Sequence, residues 1–593
     1  MIRRLPAWAC SPMAVITLAV TAWFSLAFLI LPNLQLLAEV FLVEGSLSTR
    51  AWGRLIGSER AMSSLRNSVL LALTLSVTVN VVGVFVVLAT RYFALRGRRI
   101  LWLGYATSLI YGGIVMVAGY DFVYGSNGLL TRLLTTVLPF VPEDWFVGYP
   151  AVVFVMTFAS TGNHLLFLNA AMTRIDQQIV ESARQMGASQ WTVLRRVVLP
   201  TLLPTIFAVT VLTFLGGLGA LAVPEVLGGR GFQTIAPMML TFANTPSSRD
   251  LAAALAIILA LFTIAMLLIL NRLERGGTYF SVAKVSTQLT PQRIGNPVAN
   301  TVVHVIAYAL LVLYVLPPAL IVLFSFTDAR SISTGTLRAD SFTLENYATA
   351  LLDPTARWPF VVSIGYSAVA ALVVILGLLL VVRLVTRFPR SRMSTVVEYV
   401  LHIPWVMPGT MMALGLLLLF STPQGVVGGR VLSGTVGILA VAYVVGKIPF
   451  TFRLLKAAFL GINRNVEEAA SLLGASQLYT FRRVILPLVL PTAAAITALN
   501  FNSMLDDYDT AVFLAHPFYQ PLGIFIRNAT SGETNADASA TVFVYSVILM
   551  VIATITLWLI YGGGAARILR LLSPRRGRRR SGDALALSTA DQA

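Results

Sequence analysis

The segment Val180-Glu181-Ser182-Ala183-Arg184-Gln185-Met186-Gly187-Ala188-Ser189-Gln190, closed by Val197-Val198-Leu199-Pro200, occurs in this chain a second time. Its counterpart, Glu467-Glu468-Ala469-Ala470-Ser471-Leu472-Leu473-Gly474-Ala475-Ser476-Gln477, is closed by Val484-Ile485-Leu486-Pro487. The glutamates stand 287 positions apart (468 − 181), and so do the prolines (487 − 200). A constant offset across a polar stretch between apolar spans means that one membrane unit is present twice.

That the surroundings are membrane spans follows from composition. Of 593 residues 57% are hydrophobic and 11% charged, against about 25% charged in a soluble domain. Mean hydropathy is +0.81. Apolar runs of roughly 20 residues recur throughout, each long enough to cross a hydrocarbon core as a helix. Twelve spans are expected, near 12–32, 67–90, 100–120, 149–170, 201–223 and 251–271, then 301–326, 360–384, 396–420, 434–455, 488–505 and 540–562. The fold class is therefore an all-α polytopic membrane protein. It divides into a first repeat (1–275), a connector (276–300), a second repeat (301–570) and a basic tail (571–593). The segment 272–300, rich in Gly, Thr, Gln, Pro and Asn, reads as a flexible cytoplasmic linker.

The net charge of +18 is spread over short loops and the tail Arg575-Arg576-Gly577-Arg578-Arg579-Arg580. That is the pattern of topology signals and anionic-lipid contact rather than of nucleic-acid binding. The single cysteine, Cys10, excludes a disulfide framework and a cysteine metal site. Arg3 and Arg4 precede an uncleaved first span. Basic residues concentrate in alternate loops, among them Arg91, Arg96, Arg98 and Arg99, Arg174, Arg184, Arg195 and Arg196, Lys284, and Arg387, Arg390 and Arg392. The opposite loops carry Asp121, Glu143, Asp144, Asp340, Glu345, Asp353, Asp506, Asp507 and Asp509. The bias places both termini and both Glu–Gly segments in the cytoplasm. The loop 44–66, with four arginines, fits the alternation least well. Six spans per copy require parallel repeats related by an axis along the membrane normal.

Each polar segment reads as helix, turn, helix. Glutamate early in the first helix suits its positive dipole end. Gly187 or Gly474 supplies the left-handed residue that ends it. Ser189 or Ser476 caps the next helix, and Leu-Pro leads it back to the membrane. Two copies spelling Glu-Ser/Ala-Ala-x-x-x-Gly, nine residues, then Val-x-Leu-Pro resemble the "EAA loop" of binding-protein-dependent ABC importer permeases. The first copy has Ser182 where that family usually has Ala. The resemblance implies the type I importer fold of the iron(III), thiamine and phosphonate group. It also implies that Glu181, Ala183, Gly187, Glu468, Ala470 and Gly474 form the contact with an ATPase subunit. No phosphate loop is found, since Gly446-Lys447-Ile448 lacks the hydroxyl and the upstream glycine. The resemblance therefore implies a separate ATPase in two copies, which uses ATP and Mg. It further implies a periplasmic or lipid-anchored substrate-binding protein, an inner-membrane location, and no cofactor on this chain.

Polar and ionisable residues inside spans are candidates for a substrate path. Asn163 and His164, with His304 and His402, are four such positions, although each alone is more often a packing residue. Asp506, Asp507 and Asp509 could attract a cation at the outer mouth, although acidic loops of this kind are usually solvated. The family's Pro-x-x-x-Pro-Gly element is present as Pro404-Trp405-Val406-Met407-Pro408-Gly409, whereas the first copy has Tyr111-Gly112-Gly113. The resemblance favours ferric iron as cargo, with thiamine, phosphonate and polyamine as alternatives. An ion-coupled secondary transporter would need titratable mid-membrane residues, and a membrane-embedded enzyme would need a catalytic cluster; the sequence is poor in both.

Overall fold

The computed structural model describes residues 12–43, 45–173, 175–275, 289–530 and 536–561. Arg3, Arg4, Arg174, Lys284 and the tail 571–593 lie outside those residues. Among the described residues ten helices are long and apolar enough to cross a membrane, and two bent pairs bring the number to twelve if each pair is one span. A two-residue hairpin pairs Leu42–Val43 with Ser46–Leu47.

The duplication is visible in the helix boundaries. Gln177–Gln185 and Arg464–Leu472 begin 287 positions apart (464 − 177), as do Leu199–Leu218 and Leu486–Leu505 (486 − 199). Ile235–Ala243 and Leu522–Thr530 hold the same offset (522 − 235). Both copies place a π-helical turn, Leu194–Val198 or Phe481–Ile485, directly before the Leu-Pro. The proline has no N–H to donate into the preceding turn, and the widened turn accommodates that loss.

Apolar residues cover all sides of these helices. In Glu59–Val87, Leu75 and Val79 are fully buried, whereas Val77 and Val81 are exposed, as a helix between a protein core and lipid requires. Small residues permit the closest approaches. A Cβ on Gly217 would lie 3.1 Å from Ala72 Cα.

The third span is broken in both copies. Arg98–Ile110 meets Gly113–Val137 at 116°, and Arg392–Trp405 meets Gly409–Phe420 at 100°. In the second copy Pro408 lacks the donor a continuous helix needs. In the first copy Gly113 takes φ +56°, a left-handed conformation that restarts the chain in a new direction. Proline and glycine thus produce one architecture, and the halves are more alike here than their sequences suggest.

The described end of the connector, from residue 289, is held by hydrogen bonds. Gln292 is buried; its N–H donates to the Tyr92 carbonyl (2.7 Å), and its own carbonyl accepts from Ala94 (2.9 Å). The Thr290 N–H donates to Gln177 Oε1 (3.0 Å). Residues 289–296 are thus tied to the loop after the second span and to the first polar segment, because unpaired backbone groups on both sides found each other. Residues 276–288 lie outside the described structure.

Candidate functional site: two repeated polar segments and a carboxylate-lined cavity

In the first polar segment, Asp176 caps the helix Gln177–Gln185 by accepting the Gln178 N–H (3.0 Å). In the second, Asn463 does the same for Asn465 (3.0 Å). Both helices end identically. Ala188 N–H donates to the Ala183 carbonyl (3.1 Å) and Gly187 N–H to Arg184 (2.9 Å). Ala475 donates to Ala470 (3.1 Å) and Gly474 to Ser471 (3.0 Å). This pair of bonds is the Schellman motif, with glycine at φ +83° or +77°. Ser189 and Ser476 then accept the N–H of Thr192 (3.2 Å) and Tyr479 (3.3 Å), capping the next helix.

Glu181 and Glu468 depart from the expectation that they stand at the positive end of the helix. The helices begin at Gln177 and Arg464, so both glutamates fall in the second turn. The capping role belongs to Asp176 and Asn463, upstream of the repeated motif. Glu181 Oε1 accepts from Gln177 (2.8 Å), the residue that also holds Thr290. In the second copy Glu467 receives both guanidinium nitrogens of Arg383 (2.6 and 2.8 Å), joining that helix to the end of Pro354–Arg387. Met186, Leu472 and Leu473, each more than 80% exposed, form apolar tips on the two segments.

Pro408, Gly409, Asp506, Asp507 and Asp509 come together at the far end of the bundle. A helix of 20 residues spans about 30 Å, so Leu199–Leu218 and Leu486–Leu505 carry the chain well away from the polar segments. There the Asp509 carboxylate accepts the Ala222 N–H (3.2 Å) across an offset of 287. Equivalent places in the two repeats touch, so the pseudo-twofold axis passes between them. Around it the repeats cross. The turn after each fifth span abuts the broken third span of the other copy. A Cβ on Gly113 would meet Asp506 Oδ2 at 2.6 Å, and one on Gly219 would meet Pro408 Cβ at 3.4 Å.

A cavity of about 460 Å³ lies at this crossing. One wall is apolar and includes Leu109, Ile114, Met116 and Met156; the other presents Asn502, Ser503, Asp506, Asp507 and Asp509. Burial pushes Asp506 and Asp509, which lie beyond the spanning helix, up to about 7, with the Asp507 charge adding to the rise. Burial also raises Asp507, opposed by Lys447. Lys447, in Val436–Leu460, interacts electrostatically with Asp506 and Asp507. Three carboxylates against one ammonium leave the wall negative when all are ionised.

Asp506 and Asp507 are thus cavity residues rather than a solvated loop, because the broken span of the other repeat covers them. Pro408 and Gly409 stand at the edge of the crossing, near Gly219 and Thr510. Asn163 and His164 line neither described cavity. His164 is fully buried, its Nε2 bonded to Asn80 Oδ1 (3.1 Å) and its ring against Gly83. His304 accepts the Arg96 N–H (3.3 Å), and His402 stacks on Trp405 and meets Phe452 edge-on. All three histidines are held by structure. A Cβ on Gly83 would lie 2.4 Å from the His164 ring. Gly83→Val is therefore expected to cost about 1–3 kcal/mol by overpacking, measured as a lowered Tm of detergent-solubilised protein, whereas His164→Gln leaves cargo affinity unchanged. Sequence reasoning missed Glu225, Tyr508 and Arg527. An acidic residue inside the glycine-rich stretch 216–231 was the available signal.

Two broken spans at matching rank, a twofold crossing and paired Schellman-terminated segments show one membrane unit built twice. The chain belongs to the family described as "Binding-protein-dependent transport system inner membrane component", whose model matches residues 7–277 and 374–562. It is a multi-pass permease of the ABC importer class. It is 39% identical to the probable ABC transporter permease protein y4fN of Sinorhizobium fredii, over 91% of this chain and 94% of that one. Identity is 21% to the ferric transport system permease protein FbpB of Actinobacillus pleuropneumoniae, over 90% and 76%. The putative 2-aminoethylphosphonate transport system permease protein PhnV of Salmonella typhi is 25% identical; its match covers 44% of this chain and 95% of that one.

Proposed function

We propose that this chain forms the translocation path of a bacterial cytoplasmic-membrane importer for a cation, with ferric iron as cargo. The observation that carries the cargo class is the wall of Asp506, Asp507 and Asp509 in the central cavity. A cation entering it replaces lost hydration with carboxylate oxygens, whereas an anionic cargo such as a phosphonate meets repulsion. The similarity to a ferric permease supports iron in particular. A second reading, an organic polyamine, is favoured by one feature. Among the described residues no group of three or more His, Cys, Asp or Glu is placed to hold a metal ion.

Both termini and both polar segments face the cytoplasm in this reading. A separate ATPase, in two copies, grips the segments through Glu181, Ala183 and Gly187 and through Glu468, Ala470 and Gly474. The exposed Met186, Leu472 and Leu473 supply apolar contact. ATP and Mg²⁺ belong to that partner, and this chain binds no cofactor and makes or breaks no covalent bond. A periplasmic or lipid-anchored binding protein delivers the cargo to the opposite face. ATP binding draws the segments together, the repeats rock about the crossing, and hydrolysis resets them.

The test is uptake by liposomes holding the permease, its ATPase and its binding protein. Radiolabelled ferric iron is expected to accumulate only with ATP. Accumulation of putrescine but not iron would establish the second reading, and accumulation of a phosphonate alone would reject a cationic cargo.

A further inference from the structure

A second cavity, also about 460 Å³, continues the first along the same two helices. From Gly113–Tyr124 the central cavity takes Gly113, Ile114 and Met116, and the second takes Ala118, Asp121 and Phe122. From Ala222–Leu227 the central cavity takes Ala222 and Val223, and the second takes Glu225, Val226 and Leu227. The second chamber thus lies farther along both helices, and its polar lining includes Asn127, Arg132 and Arg527.

Glu225 stands between the two. Its Oε2 accepts the Tyr508 hydroxyl (2.7 Å), and its Oε1 accepts Arg527 Nη2 (3.0 Å). Tyr508 lines the central chamber, while Glu225 and Arg527 line the second. Glu225 belongs to the first repeat; the other two belong to the second, 283 and 302 positions away. Both carboxylate oxygens are therefore committed across the seam between the halves. Tyr508 is buried and the side chains of Glu225 and Arg527 are largely so, which makes these charge-assisted bonds stronger than surface pairs.

We infer that Glu225, Tyr508 and Arg527 form a latch that divides the path into two chambers and must open when the repeats part at the end opposite the coupling segments. Opening breaks two bonds to one carboxylate and turns that carboxylate into the passage beside Asp509. The inference stands on membership of the importer class and not on the identity of the cargo.

The experiment uses the complete transporter in liposomes, in a Cys10→Ser background with Ser503→Cys as a reporter in the central chamber. A membrane-impermeant maleimide is added on the face opposite the ATPase, without cargo or nucleotide. With the latch intact, labelling is slow. Glu225→Gln and Arg527→Gln are expected to accelerate it by about tenfold, the effect of a 1.4 kcal/mol shift in the closed–open equilibrium. Tyr508→Phe, which removes one bond and no charge, accelerates it less. The exchange Glu225→Arg with Arg527→Glu restores the slow rate. If a single-charge variant fails to insert, Tyr508→Phe, which keeps every charge, still reports. Rates equal to the parent in the inserted latch variants would overturn the inference.

Discussion

Gly187→Val and Gly474→Val are each expected to lower ATP-driven uptake by about tenfold or more while leaving insertion and yield near normal. Both glycines hold the left-handed backbone on which the two Schellman bonds depend. No atom lies within 4 Å of a Cβ built on either, so the substitution meets no neighbour within the chain. The cost is conformational, about 1–2 kcal/mol for an ordinary residue in that region and more for a β-branched one. It falls where the coupling helix is joined to the helix that returns to the membrane. A helix end released from Ala183 or Ala470 still touches a partner but no longer passes its movement to Leu199–Leu218 or Leu486–Leu505. Asparagine tolerates the left-handed region, so Gly187→Asn should keep most of the activity. The decisive comparison is cargo uptake against ATP hydrolysis in the same liposomes. Full cargo-stimulated hydrolysis and full uptake in both valine variants would remove these segments from the coupling role.

That this prediction could be framed from sequence reflects how local the chemistry of a helix end is. Gly187 with Ser189, and Gly474 with Ser476, dictate their own turn and cap within a few residues. The all-helical membrane pattern and the repeat were legible for the same reason, being periodic or duplicated. What escaped was set by contacts across the repeats. Asp506 reads as a solvated loop until Gly113, nearly 400 positions earlier, is seen to cover it. Glu225 has no local signature, because its partners lie in the other half of the chain. At Gly112-Gly113 the sequence shows only a difference from Pro408-Gly409, because a break made by a left-handed glycine has no residue type in common with one made by proline. Hydrophobic spans also hide whether a polar side chain meets a pathway or a neighbour. His164 meets Asn80.

Asp506→Asn combined with Asp509→Asn should reduce uptake of a cationic cargo by about tenfold or more and flatten its dependence on pH. Both carboxylates are pushed up to about 7, first by burial and then by Asp507. A raised carboxylate pKa means that the negative form is lost as pH falls through that value. The wild-type wall is therefore most attractive to a cation above pH 7 and weakens toward pH 6. Asp507 and Tyr508 on the same loop, Tyr443 and Lys447 in Val436–Leu460, and Glu225 from the other repeat are the further titratable or charged groups near the pair. Lys447 opposes the rise, so Lys447→Met should move the pH midpoint upward. Stability runs the other way. A carboxylate whose pKa is higher folded than unfolded binds its proton more tightly in the native state, so neutral pH is where ionisation costs folding free energy. The double asparagine variant should therefore melt at a higher temperature than the parent at pH 8, by a margin that narrows as pH falls and closes only near pH 4, the ordinary carboxylate range. Loss of uptake together with gain of stability at high pH is the signature of charge kept for transport rather than for folding. An uptake profile that rises with pH as in the parent, in a stable variant lacking both carboxylates, would assign the cation-attracting role to other groups.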